Sequence, residues 1–179
     1  MKKMFNLMML VFAISVFSSC SKDDDKDDEK GGSILKIFGK EYRLTDADGF
    51  RYYQEEGEFH GELGNDSEKD MIVLGFTAYR LHPQGDKQVE INKEYKAKDL
   101  IITLSLNVID YEIHDLENPT FYMNEETKVT VLENNVEKKK MKVQFKNIKW
   151  DCIDLVNGEI VETIENSELV IEFNYEVKP

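Results

Sequence analysis

The sequence predicts an all-β protein, an antiparallel β-sandwich of about nine or ten strands. Three observations predict it. Apolar residues alternate with polar ones at period two, most clearly from Leu100 to Val108 and from Ile171 to Val177. Short turn segments rich in Gly, Asn and Asp separate these runs, and prolines number only three. No long stretch carries the 3.6-residue period of an amphipathic helix.

The elements follow in order. Ile34 to Phe38 leads through Gly39-Lys40 into Glu41 to Leu44, a hairpin. Thr45 to Gly49 is a turn, Phe50 to Gln54 a strand and Phe59 to Leu63 a short strand. Gly64 to Asp70 is a loop, Met71 to Tyr79 a strand, and a longer loop surrounds His82 to Asp86. Leu100, Ile102, Leu104, Leu106 and Val108 share one face, with Thr103, Ser105 and Asn107 on the other. Thr127, Val129 and Val131 alternate with Lys128 and Thr130; Met141, Val143 and Phe145 alternate with Lys142, Gln144 and Lys146. The phase then slips, because Ile148, Trp150 and Cys152 carry the next apolar face. A one-residue slip without a turn predicts a β-bulge at about Asn147. Asn157-Gly158 predicts a type I′ hairpin turn. The alternative architecture is a lipocalin-like or other β-barrel, but 45–70 is too short and broken for regular barrel staves.

The first thirty residues have a different character. Met1-Lys2-Lys3 is a positive start, Met4 to Phe17 is apolar apart from Asn6 and Ser15, and Phe17-Ser18-Ser19-Cys20 follows. This is the layout of a secretory signal, with an apolar run short of the roughly 20 residues that span a bilayer. Phe17-Ser18-Ser19-Cys20 resembles the lipobox of bacterial lipoproteins, with Phe17 where leucine is usual. The resemblance implies cleavage after residue 19 and lipid attachment at Cys20. Ser21-Lys22-Asp23-Asp24-Asp25 resembles the acidic export signal of Bacteroidetes surface lipoproteins, which implies the outer membrane with the chain facing the extracellular side. The expected organisation is therefore a removed signal peptide (1–19), a lipidated cysteine with an acidic tether (20–33) and a single β domain (34–179).

Charge narrows the partners. The chain carries a net charge of −13, and loss of Lys2 and Lys3 with the leader takes it to −15. Lys22 to Lys30 holds six acids and three lysines, which leaves −12 for residues 31–179. Such a body repels phosphate backbones, so nucleic acid is excluded as a partner, and the membrane is held through the lipid alone. With Cys20 lipidated, Cys152 has no partner for an intrachain disulfide.

Most chemistry-bearing groups have ordinary explanations. Asp46-Ala47-Asp48-Gly49 has the look of a calcium loop, but Leu44 occupies its first ligand position, so it reads as an Asp-rich turn. His60, His82 and His114 are scattered and lack the His-x-His spacing of a zinc site on strands. Carboxylate pairs abound in so acidic a body and assign no catalysis. Cys152 lies on an apolar phase and reads as a small buried thiol. No nucleophile elbow or phosphate-binding glycine pattern occurs, so no catalytic residue, metal or cofactor is expected.

The aromatic residues are more informative. Tyr52-Tyr53 and Phe121-Tyr122 are adjacent pairs, and neighbours on a strand point to opposite faces. Tyr53 and Tyr122 are the candidate ligand-binding residues, able to pack a ring against the C–H face of a sugar. The expectation is a non-catalytic surface binding module with a polysaccharide or surface-protein partner. It resembles small Bacteroidetes surface lipoproteins, some of which assist capture of glycans or other nutrients. Alternatives are an adhesin or assembly subunit pairing through an edge strand such as Leu169–Val177, an extracellular hydrolase, and a lipocalin-like carrier.

Overall fold

The computed structural model describes residues 32–47, 49–65, 71–108, 112–113, 116–117, 119–154 and 157–179. Cys20 and Lys22 to Asp25 lie outside the described residues. The strands are β1 (Ser33–Ile37), β2 (Lys40–Asp46), β3 (Phe50–Tyr53), β4 (Glu58–Gly64), β5 (Ile72–Ala78) and β6 (Glu94–Lys96). After the four-residue helix α1 (Ala97–Leu100) come β7 (Ile102–Val108), β8 (Glu112–Ile113), β9 (Leu116–Glu117), β10 (Thr120–Met123), β11 (Lys128–Asn135), β12 (Lys140–Ile153) and β13 (Ile160–Lys178). The all-β expectation holds. Eleven strands form one sheet in the order β2-β1-β13-β3-β4-β5-β7-β10-β12-β11-β6, while β8 and β9 pair with each other.

The alternation seen in the sequence sets the faces. β5 and β7 bury every second residue, Ile72, Leu74, Phe76 and Ala78 on one and Ile102, Leu104, Leu106 and Val108 on the other. A sheet this wide with one apolar face must fold over to cover it. The two longest strands make the fold. β12 and β13 pair along nearly their whole length, with register shifts between Phe145 and Ile148 and between Ile148 and Trp150. Asn147 and Asn166 sit at these shifts with left-handed φ of 52° and 59°, a conformation asparagine tolerates better than most residues. The bulge predicted at Asn147 is therefore present, and β13 carries a matching one.

Before the bend, β12 is flanked by β11. Beyond it, Trp150 and Cys152 pair with Met123 and Phe121 of β10. The other edge of β13 meets β1 through Glu168–Val170 and then β3 through Tyr175–Lys178. Two layers result, β6-β11-β12-β13-β1-β2 and β3-β4-β5-β7-β10, joined where β13 meets β3, where β12 meets β10 and where β2 meets β4. The arrangement is sandwich-like and is not a clean barrel. One core lies between the layers. Phe173 of β13 stacks on Phe50 at 4.0 Å between centroids and lies 5.8 Å from Phe76 of β5, which is not its sheet neighbour. Among the described residues, every buried apolar residue from Leu35 to Tyr175 belongs to this one cluster.

The structure corrects several expectations. Strands outnumber the nine or ten expected because short segments such as β6 join the edges. The sheet is mixed, since β13 runs parallel to β3. Leu169–Val177, expected at an edge, lies within β13, where Leu169 and Val170 pair with both β1 and β12, 171–174 with β12 and 175–177 with β3. Asn157-Gly158 is not a two-residue turn: Asp154 and Glu159 close a longer loop, with Gly158 N–H donating to the Asp154 carbonyl at 2.7 Å. Positive φ at two successive hairpin residues occurs instead at Phe38 (55°) and Gly39 (70°). Asp46 does serve a turn, its Oδ1 accepting from Gly49 N–H at 2.6 Å.

Electrostatics stays at the surface. Glu172 accepts from Lys140 at 2.5 Å and Lys142 at 2.9 Å, and these ammonium groups hold its carboxyl below the usual carboxylate range. Cys152 is buried as expected, and burial, with Glu162 and Asp154 nearby, pushes its thiol up.

Candidate functional site

The outward residues of β3, β4, β5, β7 and β10 form one polar face. Register aligns them in rows across the strands. In one row, Arg51 of β3 opposes His60 of β4, which opposes Thr77 of β5, which opposes Thr103 of β7. In the next, Glu62 opposes Gly75, Gly75 opposes Ser105, Ser105 opposes Tyr122, and Tyr122 opposes Asp151 of β12. A groove of about 260 Å³ lies over these two rows, with Gly75 on its floor and Glu62, Thr77, Thr103 and Ser105 among its walls.

Tyr53 and Tyr122 both lie on this face, half-buried, while their neighbours Tyr52 and Phe121 point into the core. Tyr53 meets His60 edge-on, with 5.5 Å between ring centroids. Tyr122 stands beside Ser105 at the other end. The two tyrosines are four strand spacings apart across the sheet, roughly 19 Å at about 4.8 Å each, and a further four residues apart along it, since Tyr53 opposes Glu58 while Tyr122 lies in the row of Glu62. The two residues nominated from sequence therefore share one face: neither lines the groove, but Tyr53 meets His60 and Tyr122 opposes Ser105, and those two residues do line it.

Hydrogen bonds fix the end of the face near Tyr53. The half-buried Glu58 carboxylate lies 2.7 Å from His60 Nε2, and His60 Nδ1 is 3.5 Å from Thr77 Oγ1. Glu58 also accepts from the Tyr79 phenol, which pushes that phenol's ionisation up. Tyr79 is 45% exposed and beside it lies Ile101, 39% exposed and held at a φ of 48° that a β-branched residue rarely adopts. At the far end, Thr163 Oγ1 donates to Asp151 Oδ1 at 2.8 Å, and Thr120 Oγ1 to Asn107 Oδ1 at 2.6 Å.

What this face can do follows from its groups. Hydroxyls and carboxylates on rigid strands can accept from and donate to a polyhydroxylated ligand, and the tyrosines supply apolar ring faces. The order carboxylate, imidazole, hydroxyl in Glu58, His60 and Thr77 is that of a nucleophile relay. Acyl transfer also needs N–H donors for an oxyanion, and around Thr77 β5 is paired on both sides, by β4 and β7. Among the described residues, no group of three or more His, Cys, Asp or Glu side chains is gathered to hold a metal. The His82 ring lies against Gly57, and His114 falls outside the described residues.

The chain matches no protein-family model, no curated protein and no solved structure.

A second hollow, about 480 Å³, lies between the β1–β2 hairpin tip and Ile164–Ser167 of β13. Its rim carries Lys36, Lys40, Glu41 and Glu165, and neither candidate tyrosine is in it. One groove residue was within reach of sequence reasoning and escaped it: Gly75 is an isolated glycine inside a strand, a pattern that marks close approach of another group.

Proposed function

We propose that this chain is a non-catalytic binding module, anchored by lipid at Cys20 to the outer membrane and facing the medium, that holds a glycan against the outer face of β3-β4-β5-β7-β10. The observation that carries the reading is the placement of Tyr53 and Tyr122 on the face that holds the groove, each next to one of its lining residues, where Arg51, His60, Glu62 and the hydroxyls of Thr77, Thr103 and Ser105 meet. The leader supports the anchor: a short apolar run, Cys20, and the acidic tether from Lys22. The central position of β13 argues against assembly through Leu169–Val177.

Affinity electrophoresis of residues 31–179 through a panel of polysaccharides tests the reading. Retardation by at least one glycan is expected, with Tyr53→Ala and Tyr122→Ala each weakening affinity about tenfold, equivalent to about 1.4 kcal/mol. No retardation across plant, host and microbial polysaccharides would sink it. The anchor has its own test in the full chain, where Cys20→Ala is expected to abolish incorporation of labelled fatty acid and move the protein to the soluble fraction. Continued labelling would place the lipid elsewhere.

A further inference from the structure

We infer that Gly75 is the floor of a subsite for one uncharged pyranose ring, which lies flat across β5 between Glu62 and Ser105; this rests on the glycan-binding reading above. Gly75 is in the interior of a strand paired on both sides, where glycine is a poor choice. Its backbone does not require glycine, because its φ is not in the left-handed region.

Gly61 on β4 is the contrasting case, a strand glycine on the core-facing phase with Phe59 and Leu63. A Cβ there would lie 2.4 Å from the ring of Phe50, which already covers the bare backbone. Over Gly75 the one side chain a Cβ would meet is Ser105, whose hydroxyl oxygen would be 2.7 Å away. The Ser105 hydroxyl thus leans over one side of Gly75, and both residues line the groove beside it.

The groups around the groove define the ligand. Ser105, Thr77 and Thr103 offer hydroxyls that both donate and accept, and the Glu62 carboxylate accepts. A thin ring bearing hydroxyls on its edge satisfies all of them while its flat face rests on the glycine backbone. Tyr122, next to Ser105, is placed to pack against the adjoining sugar. Arg51 and His60 line the neighbouring row of the groove, so the preference for an uncharged ring over a uronic acid rests on the exposed Glu62 in Gly75's own row and on the body's charge of −12.

The test uses residues 31–179, which contain every buried apolar residue of the described core cluster, in affinity gels carrying neutral or uronic acid polysaccharides. Gly75→Val is expected to weaken binding of the neutral polysaccharide about tenfold, with melting unchanged or raised because valine is the better strand residue. Gly75→Ala should show a smaller loss in the same direction. Should either variant fail to fold, Ser105→Leu fills the same groove from β7 and carries the same expectation. Full affinity in a folded Gly75→Val chain overturns the subsite, and the wider reading survives if Tyr122→Ala still weakens binding. Preference for the uronic acid polymer overturns the ligand class. A parent chain that binds no glycan overturns both.

Discussion

Replacing Trp150 by alanine is expected to remove about 3–5 kcal/mol of folding stability, the range for deleting a large buried aromatic. Trp150 is fully buried and sits just beyond the bend in β12, paired with Met123 on one side and Ile164 on the other. Its ring therefore fills the corner where the two layers join, and few neighbours there can collapse into the space. The loss is large against a typical total of about 5–15 kcal/mol. Trp150 Nε1 is buried without a hydrogen-bond partner, so Trp150→Phe removes an unsatisfied donor together with some packing. That variant should cost about 1–2 kcal/mol, because the relieved desolvation offsets part of the lost volume. Urea unfolding followed by far-ultraviolet circular dichroism reads both, since Trp150 is the one tryptophan and fluorescence would be lost with it. Equal costs for alanine and phenylalanine would contradict this account of the corner.

Gly61→Val is expected to cost about 2–4 kcal/mol, at or above the usual range for overpacking a core. Its Cβ would fall within 2.6 Å of three atoms of the Phe50 ring, and that ring cannot swing away freely because it stacks on Phe173 at 4.0 Å. The contact predicts strong coupling. Phe50→Leu alone should destabilise by leaving Gly61 uncovered. Combined with Gly61→Ala it should cost less than the two changes added separately, because the new methyl group occupies the vacated space. Additive costs in that cycle would show that Phe50 does not cover Gly61.

Much of the fold was legible because period two assigns a face to every residue of a strand without reference to its neighbours. Leu104 and Phe145 inward, Tyr53 and Tyr122 outward, follow from alternation alone. The bulge at Asn147 was legible for the same reason, since the apolar phase slips between Phe145 and Ile148 with no turn to absorb it. Strand order was not. Whether Leu169–Val177 is an edge depends on which strands arrive beside it, and β1 and β3 come from more than a hundred residues away in the chain. The parallel pairing of β3 with β13 has no local signature for the same reason. The candidate site divides along this line. That each tyrosine faces outward is local information. That both share one face, with Gly75 on a strand between theirs, is set by the order β3-β4-β5-β7-β10.

The most direct test of the binding face is nuclear magnetic resonance mapping of backbone amides in residues 31–179, titrated with the polysaccharide that retards the protein. The account predicts shifts concentrated at 51–62, 73–77, 103–107 and 120–122, with saturation at one ligand concentration across all four segments. Shifts confined to 36–41 and 164–167, around the second hollow, would contradict it and move the binding site to the β1–β2 hairpin.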